Sequence, residues 1–220
     1  MKQINNTVNT VKIIPSIIAD TPAALRTVLD KIGNITDTFQ LDIMDNKFVP
    51  ASSLDFNPNR FELPENKVFE AHLMVDNPDK WIEKLAKIKN IKTFIAHIES
   101  CDDPKNTIAI AKKFNKRIGF ALNPKTSINR IKRLLPDIDH VLVLTVEPGR
   151  YGSEFLPDTL KKVRQLRKLA PNLNIEVDGG IDDKTIISAK AAGANLFVSG
   201  SFIIKAANPK KALAELKKGV

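Results

Sequence analysis

The chain has 220 residues, 43% of them hydrophobic and 27% charged, with a net charge of +9 and a pI near 9.6. No apolar run approaches the roughly 20 residues of a membrane helix, and Met1 to Thr10 are polar and Asn-rich, unlike a secretory leader. One cysteine, Cys101, excludes an internal disulfide and fits a reducing cytoplasm as an inert loop thiol. The lysines are spread along helical segments (Lys112-Lys113, Lys161-Lys162, Lys217-Lys218), and there is one Tyr and one Trp. That composition argues against a nucleic-acid platform and for a basic surface that attracts anionic metabolites.

In chain order, Val11 to Ile18 predicts a buried strand carrying Ser16. Thr21-Pro22 opens a helix with Leu25, Val28, Leu29 and Ile32 at helical spacing, stopped by Gly33-Asn34. Phe39 to Met44 is a second strand, and Asp42 in it is an unusual expense for an apolar segment. Residues 51–66 read as a long loop with at most a short helix, a length that is often functional. Val68 to Met74 is a strand, and Asn77-Pro78 opens a helix with Trp81, Ile82, Leu85 and Ile88 on one face. Lys92 to His97 is a strand, Pro104 to Phe114 a helix, and Arg117 to Leu122 a strand. Thr126-Ser127 predicts a helix through Leu135, followed by a strand over His140 to Thr145.

After the turn Pro148 to Gly152, a helix spaces Leu156, Leu160, Val163, Leu166 and Leu169. Asn174 to Asp178 is a strand, Asp182 to Ala192 a helix, and Asn195 to Ser199 the last strand. Ser201 to Ile204 and a helix through Lys217 finish the chain. Eight strands of this kind, each followed by a helix or a loop that could hold one, over about 210 residues, predict one α/β domain. The expected architecture is a single-domain (β/α)8 TIM barrel over 11–220, with 1–10 as a polar N-terminal extension. An open doubly wound sheet is the competitor, weakened because no Gly-x-Gly-x-x-Gly follows the first strand.

Active sites of such barrels lie at the C-terminal strand ends. The polar residues there are Ser16, Gln40, Asp42, His72, His97, Thr145, Asp178 and Ser201. Asp42 and Asp178 come from opposite sides of the ring, as one base and one acid on two faces of a substrate require. Asp42, His72 and Asp178 are also suitable ligands for a divalent metal, which would relieve repulsion between the carboxylates. His97 either supports His72 or contacts substrate, whereas His140 starts its strand and reads as structural. Gly149-Arg150-Tyr151-Gly152, Gly179-Gly180 and Gly200-Ser201 each precede a helix, and such turns cradle phosphate.

With these residues collected, the chain resembles the ribulose-phosphate 3-epimerase family from Ile13 to about Ile204. The resemblance rests on Leu41-Asp42-Ile43-Met44-Asp45 with Phe48-Val49-Pro50, on His72-Leu73-Met74 with Asn77-Pro78, and on Ala121-Leu122-Asn123-Pro124. Thr145-Val146 with Pro148-Gly149 and Glu176-Val177-Asp178-Gly179-Gly180 complete it. It implies an isomerase of carbohydrate metabolism in the pentose phosphate pathway, interconverting D-ribulose 5-phosphate and D-xylulose 5-phosphate in the cytoplasm through an enediolate. Asp42 and Asp178 match the acid/base pair. Asp42, His72 and Asp178 match ligands of one divalent metal ion (zinc, iron or manganese). Ser16, Met44, His72 and Met74 match substrate-binding positions. Gly149, Arg150, Tyr151, Gly152, Gly179, Gly180, Gly200 and Ser201 match phosphate-binding positions.

The family usually carries His as a further metal ligand where this chain has Gln40, so Gln40 is a candidate ligand through its amide oxygen. Asn46 replaces a usual Gly, Leu144 a usual Met, and Arg150-Tyr151 a usual Phe-Gly. The alternatives are an epimerase of another ketose phosphate, such as allulose 6-phosphate, and a catalytically weakened sugar-phosphate-binding barrel motivated by Gln40. Homo-oligomerisation is left open.

Overall fold

The structure is a computed structural model describing residues 10–54, 62–148 and 153–220. The strands are β1 Lys12–Ile14, β2 Ser16–Ile17, β3 Thr38–Met44, β4 Val68–Met74 and β5 Ile91–His97. They continue as β6 Arg117–Leu122, β7 His140–Leu144, β8 Asn174–Asp178 and β9 Leu196–Val198. All sheet pairs are parallel, in the order β1-β9-β8-β7-β6-β5-β4-β3-β2. The first expected strand is therefore cut in two at Pro15, which has no N–H for a ladder. Its first half pairs with the last strand and its second half with β3. The backbone carbonyls on either side of the cut are used. Ser199 N donates to Ile14 O at 3.0 Å, and Gln40 N donates to Pro15 O at 3.0 Å. The nine segments thus make the predicted eight-stranded ring, closed through one chain segment.

The helices are α1 Pro22–Ile32, α2 Pro78–Leu85, α3 Pro104–Lys113, α4 Leu160–Leu169, α5 Thr185–Ala192, α6 Ser201–Ile204 and α7 Pro209–Lys218. Four of them begin alike. Thr21, Asn77, Asp103 and Asn208 accept a hydrogen bond from a first-turn N–H, and the next residue is Pro. The segment expected as a helix through Leu135 is instead two 3₁₀ turns, Ile128–Arg130 and Leu135–Asp137. Ser127 does cap the first. Pro136 then disfavours helical backbone at Leu135, leaving too few residues for a nucleated α-helix. Ile131 and Leu134 still bury their side chains against the barrel.

Strand parity sorts the core. Phe39, Leu41 and Ile43 of β3, Phe69, Ala71 and Leu73 of β4, and Ile175 and Val177 of β8 join the large cluster beneath the helices. Small separate clusters, Ile95-Ala121-Leu142-Leu144 and Ile14-Leu196-Val198, fill part of the barrel interior. The alternate residues of β3, β4 and β8 are Gln40, Asp42, Glu70, His72, Glu176 and Asp178, and they make the rest of the interior polar. These strands do alternate in polarity, although both of their faces are buried.

Below the site, Glu70 and Glu176 are buried close enough to perturb each other, and neither Glu176 oxygen has a hydrogen-bond partner. Burial first, then the charge of Glu70, push Glu176 well above the usual carboxylate range. His140 lies beside Glu176 at 3.4 Å, and burial followed by the Arg117 charge pushes its imidazole down to about 3. It is a structural residue at the bottom of the barrel, as expected. A folded-state carboxyl pKa above the unfolded one gives stability that is lost as pH rises above the unfolded value. Glu176→Gln removes that loss. The variant is expected to match the parent in denaturant unfolding near pH 4 and to exceed it at pH 8, the gap widening as pH rises.

Candidate active site

Asp42 and His72 are direct neighbours across β3 and β4, as are Met44 and Met74. Inward alternation therefore stacks a polar layer under an apolar one. Asp178 ends β8, two residues above Glu176. One ligand atom from each of Asp42, His72 and Asp178 lies within 4.8 Å of the others. His72 Nδ1 is 3.2 Å from Asp42 Oδ1 and 3.5 Å from Asp178 Oδ2. The sequence-predicted trio is thus brought together at the barrel's C-terminal mouth.

Gln40, fully buried, sits one inward step below Asp42. Its Nε2 donates to Asp42 Oδ1 at 2.7 Å and to Asp178 Oδ2 at 2.7 Å, and stands 3.4 Å from His72 Nδ1. Its Oε1 is buried with no hydrogen-bond partner. Burial lifts the Asp42 carboxyl above its ordinary range, opposed by the His72 hydrogen bond. Burial alone would lower His72, but hydrogen bonds to Asp178 and Asp42, and their charges, outweigh it and hold the imidazole at about 9.

A relay supports His72 from behind. His72 Nε2 is 3.0 Å from His97 Nε2, His97 Nδ1 is 3.3 Å from Glu99 Oε2, and Asn123 N donates to Glu99 Oε1 at 2.9 Å. Burial pushes His97 down to about 4, so it is neutral. Burial raises Glu99, but hydrogen bonds from His97, Thr126 and the Asn123 backbone overcome this and leave it at about 2. A neutral His97 donates Nδ1–H to Glu99 and accepts Nε2–H from His72. With Nε2–H committed to His97, Nδ1 is the nitrogen that faces the carboxylates. It donates its proton to them in the metal-free site and offers its lone pair once a metal replaces that proton, as outer partners of metal-ligating histidines arrange. His97 therefore supports His72. Glu99 is the member that sequence reasoning did not assign, and its His-x-Glu spacing after a strand end was the available signal. Glu99→Gln, which cannot hold the imidazole order by charge, is expected to weaken zinc binding about 10- to 100-fold in chelator competition.

The two carboxylates and one imidazole are a suitable donor set for zinc, manganese or iron. Gln40 does not add to that set as it stands, because it directs a donor rather than its oxygen at the group.

Above the trio opens a narrow cleft with a cavity volume of about 80 Å³. Its walls include Ser16, Met44, Met74 and Leu144, with Gly179, Gly180, Gly200 and Ser201 at the far side. The predicted substrate and phosphate residues within the described chain thus share one space. Gly149, Arg150, Tyr151 and Gly152 lie outside the described residues, as does the centre of the 51–66 loop. Gly179 and Gly180 have φ of 111° and 64°, which side-chain-bearing residues rarely adopt. Thr145 Oγ1 donates to the Asp178 carbonyl at 2.9 Å and also to the Gly179 carbonyl, fixing the backbone that carries both the carboxylate and the turn.

Asp45 ties the rim together by accepting from Lys47 N, Phe48 N and Asp76 N at 3.0, 3.1 and 2.8 Å. Asn46 takes the left-handed conformation, φ 59°, so it serves in place of glycine. Cys101 is buried in its loop with its thiol pushed up by burial to about 12, which leaves it unreactive.

The mouth of this parallel barrel thus gathers two carboxylates and an imidazole beneath two glycine turns. Residues 12–204 match the profile of the ribulose-phosphate 3 epimerase family. The ribulose-phosphate 3-epimerase of Schizosaccharomyces pombe is 36% identical over 95% of this chain and 93% of its own. The cytoplasmic isoform of Oryza sativa is 38% identical over 95% and 94%, and the Bacillus subtilis enzyme 32% over 94% and 98%. The chain belongs to the ribulose-phosphate 3-epimerase family and is an isomerase. The fold also resembles a crystal structure of 3-hexulose-6-phosphate synthase, with a TM-score of 0.68 at 19% identity over 94% of this chain and 98% of that one.

Proposed function

We propose that the protein inverts carbon 3 of D-ribulose 5-phosphate to give D-xylulose 5-phosphate, in the cytoplasm. The observation that carries this is the pair Asp42 and Asp178, held within reach of one Gln40 nitrogen at the mouth of the barrel. The carbon 3 hydrogen is acidic because carbon 2 is a carbonyl. One carboxylate takes that proton, and the electron pair moves into a carbon 2–carbon 3 double bond with charge on the carbon 2 oxygen. The other carboxyl group delivers a proton to the opposite face of carbon 3, and the carbonyl re-forms. A carboxyl group lifted by burial, as Asp42 is, is the stronger base when ionised and holds its proton better when acting as acid.

Met44, Met74 and Leu144 keep the reacting carbon in apolar surroundings. Gly179, Gly180, Gly200 and Ser201 bind the phosphate through backbone N–H groups, and Gly149, Arg150, Tyr151 and Gly152 are assigned to the same role from their sequence alone. Asp42, His72 and Asp178 would hold one divalent metal ion, which would supply Lewis-acid stabilisation of the developing negative charge.

The chain length of the substrate is tested by comparing kcat/KM for D-ribulose 5-phosphate and D-allulose 6-phosphate. A clear preference for the pentose supports the assignment, and a preference for the hexose overturns it in favour of the related epimerase. A barrel that only binds sugar phosphate has no use for the acid/base pair.

A further inference from the structure

The Gln40 carboxamide faces a choice that an imidazole at the same place does not. Its nitrogen stands between the three atoms that would ligate a cation, 2.7 Å from Asp42 Oδ1, 2.7 Å from Asp178 Oδ2 and 3.4 Å from His72 Nδ1. It has two hydrogens, and each carboxylate receives one. The cost is Oε1, buried without a partner. A half-turn of the amide would exchange the two ends. An oxygen would then lie beside two carboxylate oxygens, which is repulsive unless a cation is shared among them. Each orientation therefore suits one state of the site.

We propose that Gln40 is a two-position switch for the metal site. With Nε2 inward it stands in for the cation and holds the two carboxylates in place. Metal entry turns the amide, and Oε1 becomes the fourth protein ligand. This rests on the metal reading of the trio given above and adds to it a defined competitor. Metal must displace two charge-assisted hydrogen bonds and accept an amide oxygen, a weaker ligand for zinc than imidazole. The site therefore binds metal more loosely and more reversibly than the same site with His at 40.

The sequence makes the switch directly observable, because the chain has only three glutamines, Gln3, Gln40 and Gln165. Full-length protein labelled with nitrogen-15 in glutamine side chains shows three NH₂ pairs, and the Gln40 pair is the one absent from Gln40→His. In chelator-stripped protein its two protons are expected far downfield and slow to exchange. One equivalent of zinc is expected to move that pair and collapse its protection while the Gln3 and Gln165 pairs stay. Gln40→His is expected to tighten zinc binding at least tenfold by competition against a chelator.

If calorimetry shows zinc bound while the Gln40 pair is unmoved, the switch is overturned and the metal reading stands. Zinc bound by Gln40→His but not by the parent overturns the ligand half of the switch, since the amide then only excludes metal. No zinc uptake by either protein overturns the metal reading itself, and the switch with it.

Discussion

Asp178→Asn and Asp42→Asn are each expected to lower the interconversion of ribulose 5-phosphate and xylulose 5-phosphate by about 10³-fold or more, but to differ in what they keep. Each carboxyl group serves one face of carbon 3. A variant with one carboxylate left can still remove and return the proton on its own face. In deuterium oxide, each Asn variant should exchange the carbon 3 hydrogen of one epimer only, and the two variants should choose opposite epimers. Asn is the right replacement because it keeps the shape and an oxygen for Gln40 to donate to, while it removes the exchangeable acid. Proton NMR of both substrates reads the outcome. A single variant that exchanges both epimers would show that the two faces share one base.

Gly179→Ala should be the most damaging one-atom change in the described chain. The residue has φ 111°, and an added Cβ would stand 2.3 Å from Val146 Cγ2. Backbone strain and the clash each cost on the order of 1–3 kcal/mol, so a stability loss of about 3 kcal/mol is expected in urea unfolding. The substrate KM should rise as well, since the turn follows Asp178 directly and lines the cleft. Adding Val146→Ala relieves the clash and leaves the strain. The double variant should recover roughly half of the lost stability. Full recovery would mean that the positive φ costs nothing, and no recovery that Val146 is not the obstacle.

Much of this architecture was legible because barrel strands repeat one physical pattern. Thr21-Pro22 and Asn77-Pro78 marked two helix starts, and strand bounds such as Val68–Met74, Arg117–Leu122 and Asn174–Asp178 follow from apolar runs. Asp42, His72 and Asp178 were legible as polar residues at strand ends, since strand ends of a closed barrel share one mouth. The break at Pro15 was visible only as a proline in an apolar run. Its role in passing the first strand from one neighbour to the other depends on ring closure, which local sequence does not encode.

The helix expected through Leu135 failed because the Ser127 cap outweighed Pro136 in the sequence reading, whereas Pro136 governs the backbone. Gln40 could be recognised as a departure from a His pattern. Which amide end faces the carboxylates depends on three strands meeting in space, and no local pattern contains that. Glu99 was missed for a similar reason, because its partner His97 matters only through contact with His72 on the adjacent strand.

The most direct test of the account is incubation of the full-length protein with D-ribulose 5-phosphate in deuterium oxide, with zinc, iron or manganese supplied. The expected product is D-xylulose 5-phosphate carrying one deuterium at carbon 3, and Asp178→Asn should not form it. Absence of product and of carbon 3 exchange with every metal would contradict the assignment of Asp42 and Asp178 as an acid/base pair. Product formed with carbon 3 hydrogen fully retained would contradict exchange of that proton with solvent through the two carboxyl groups.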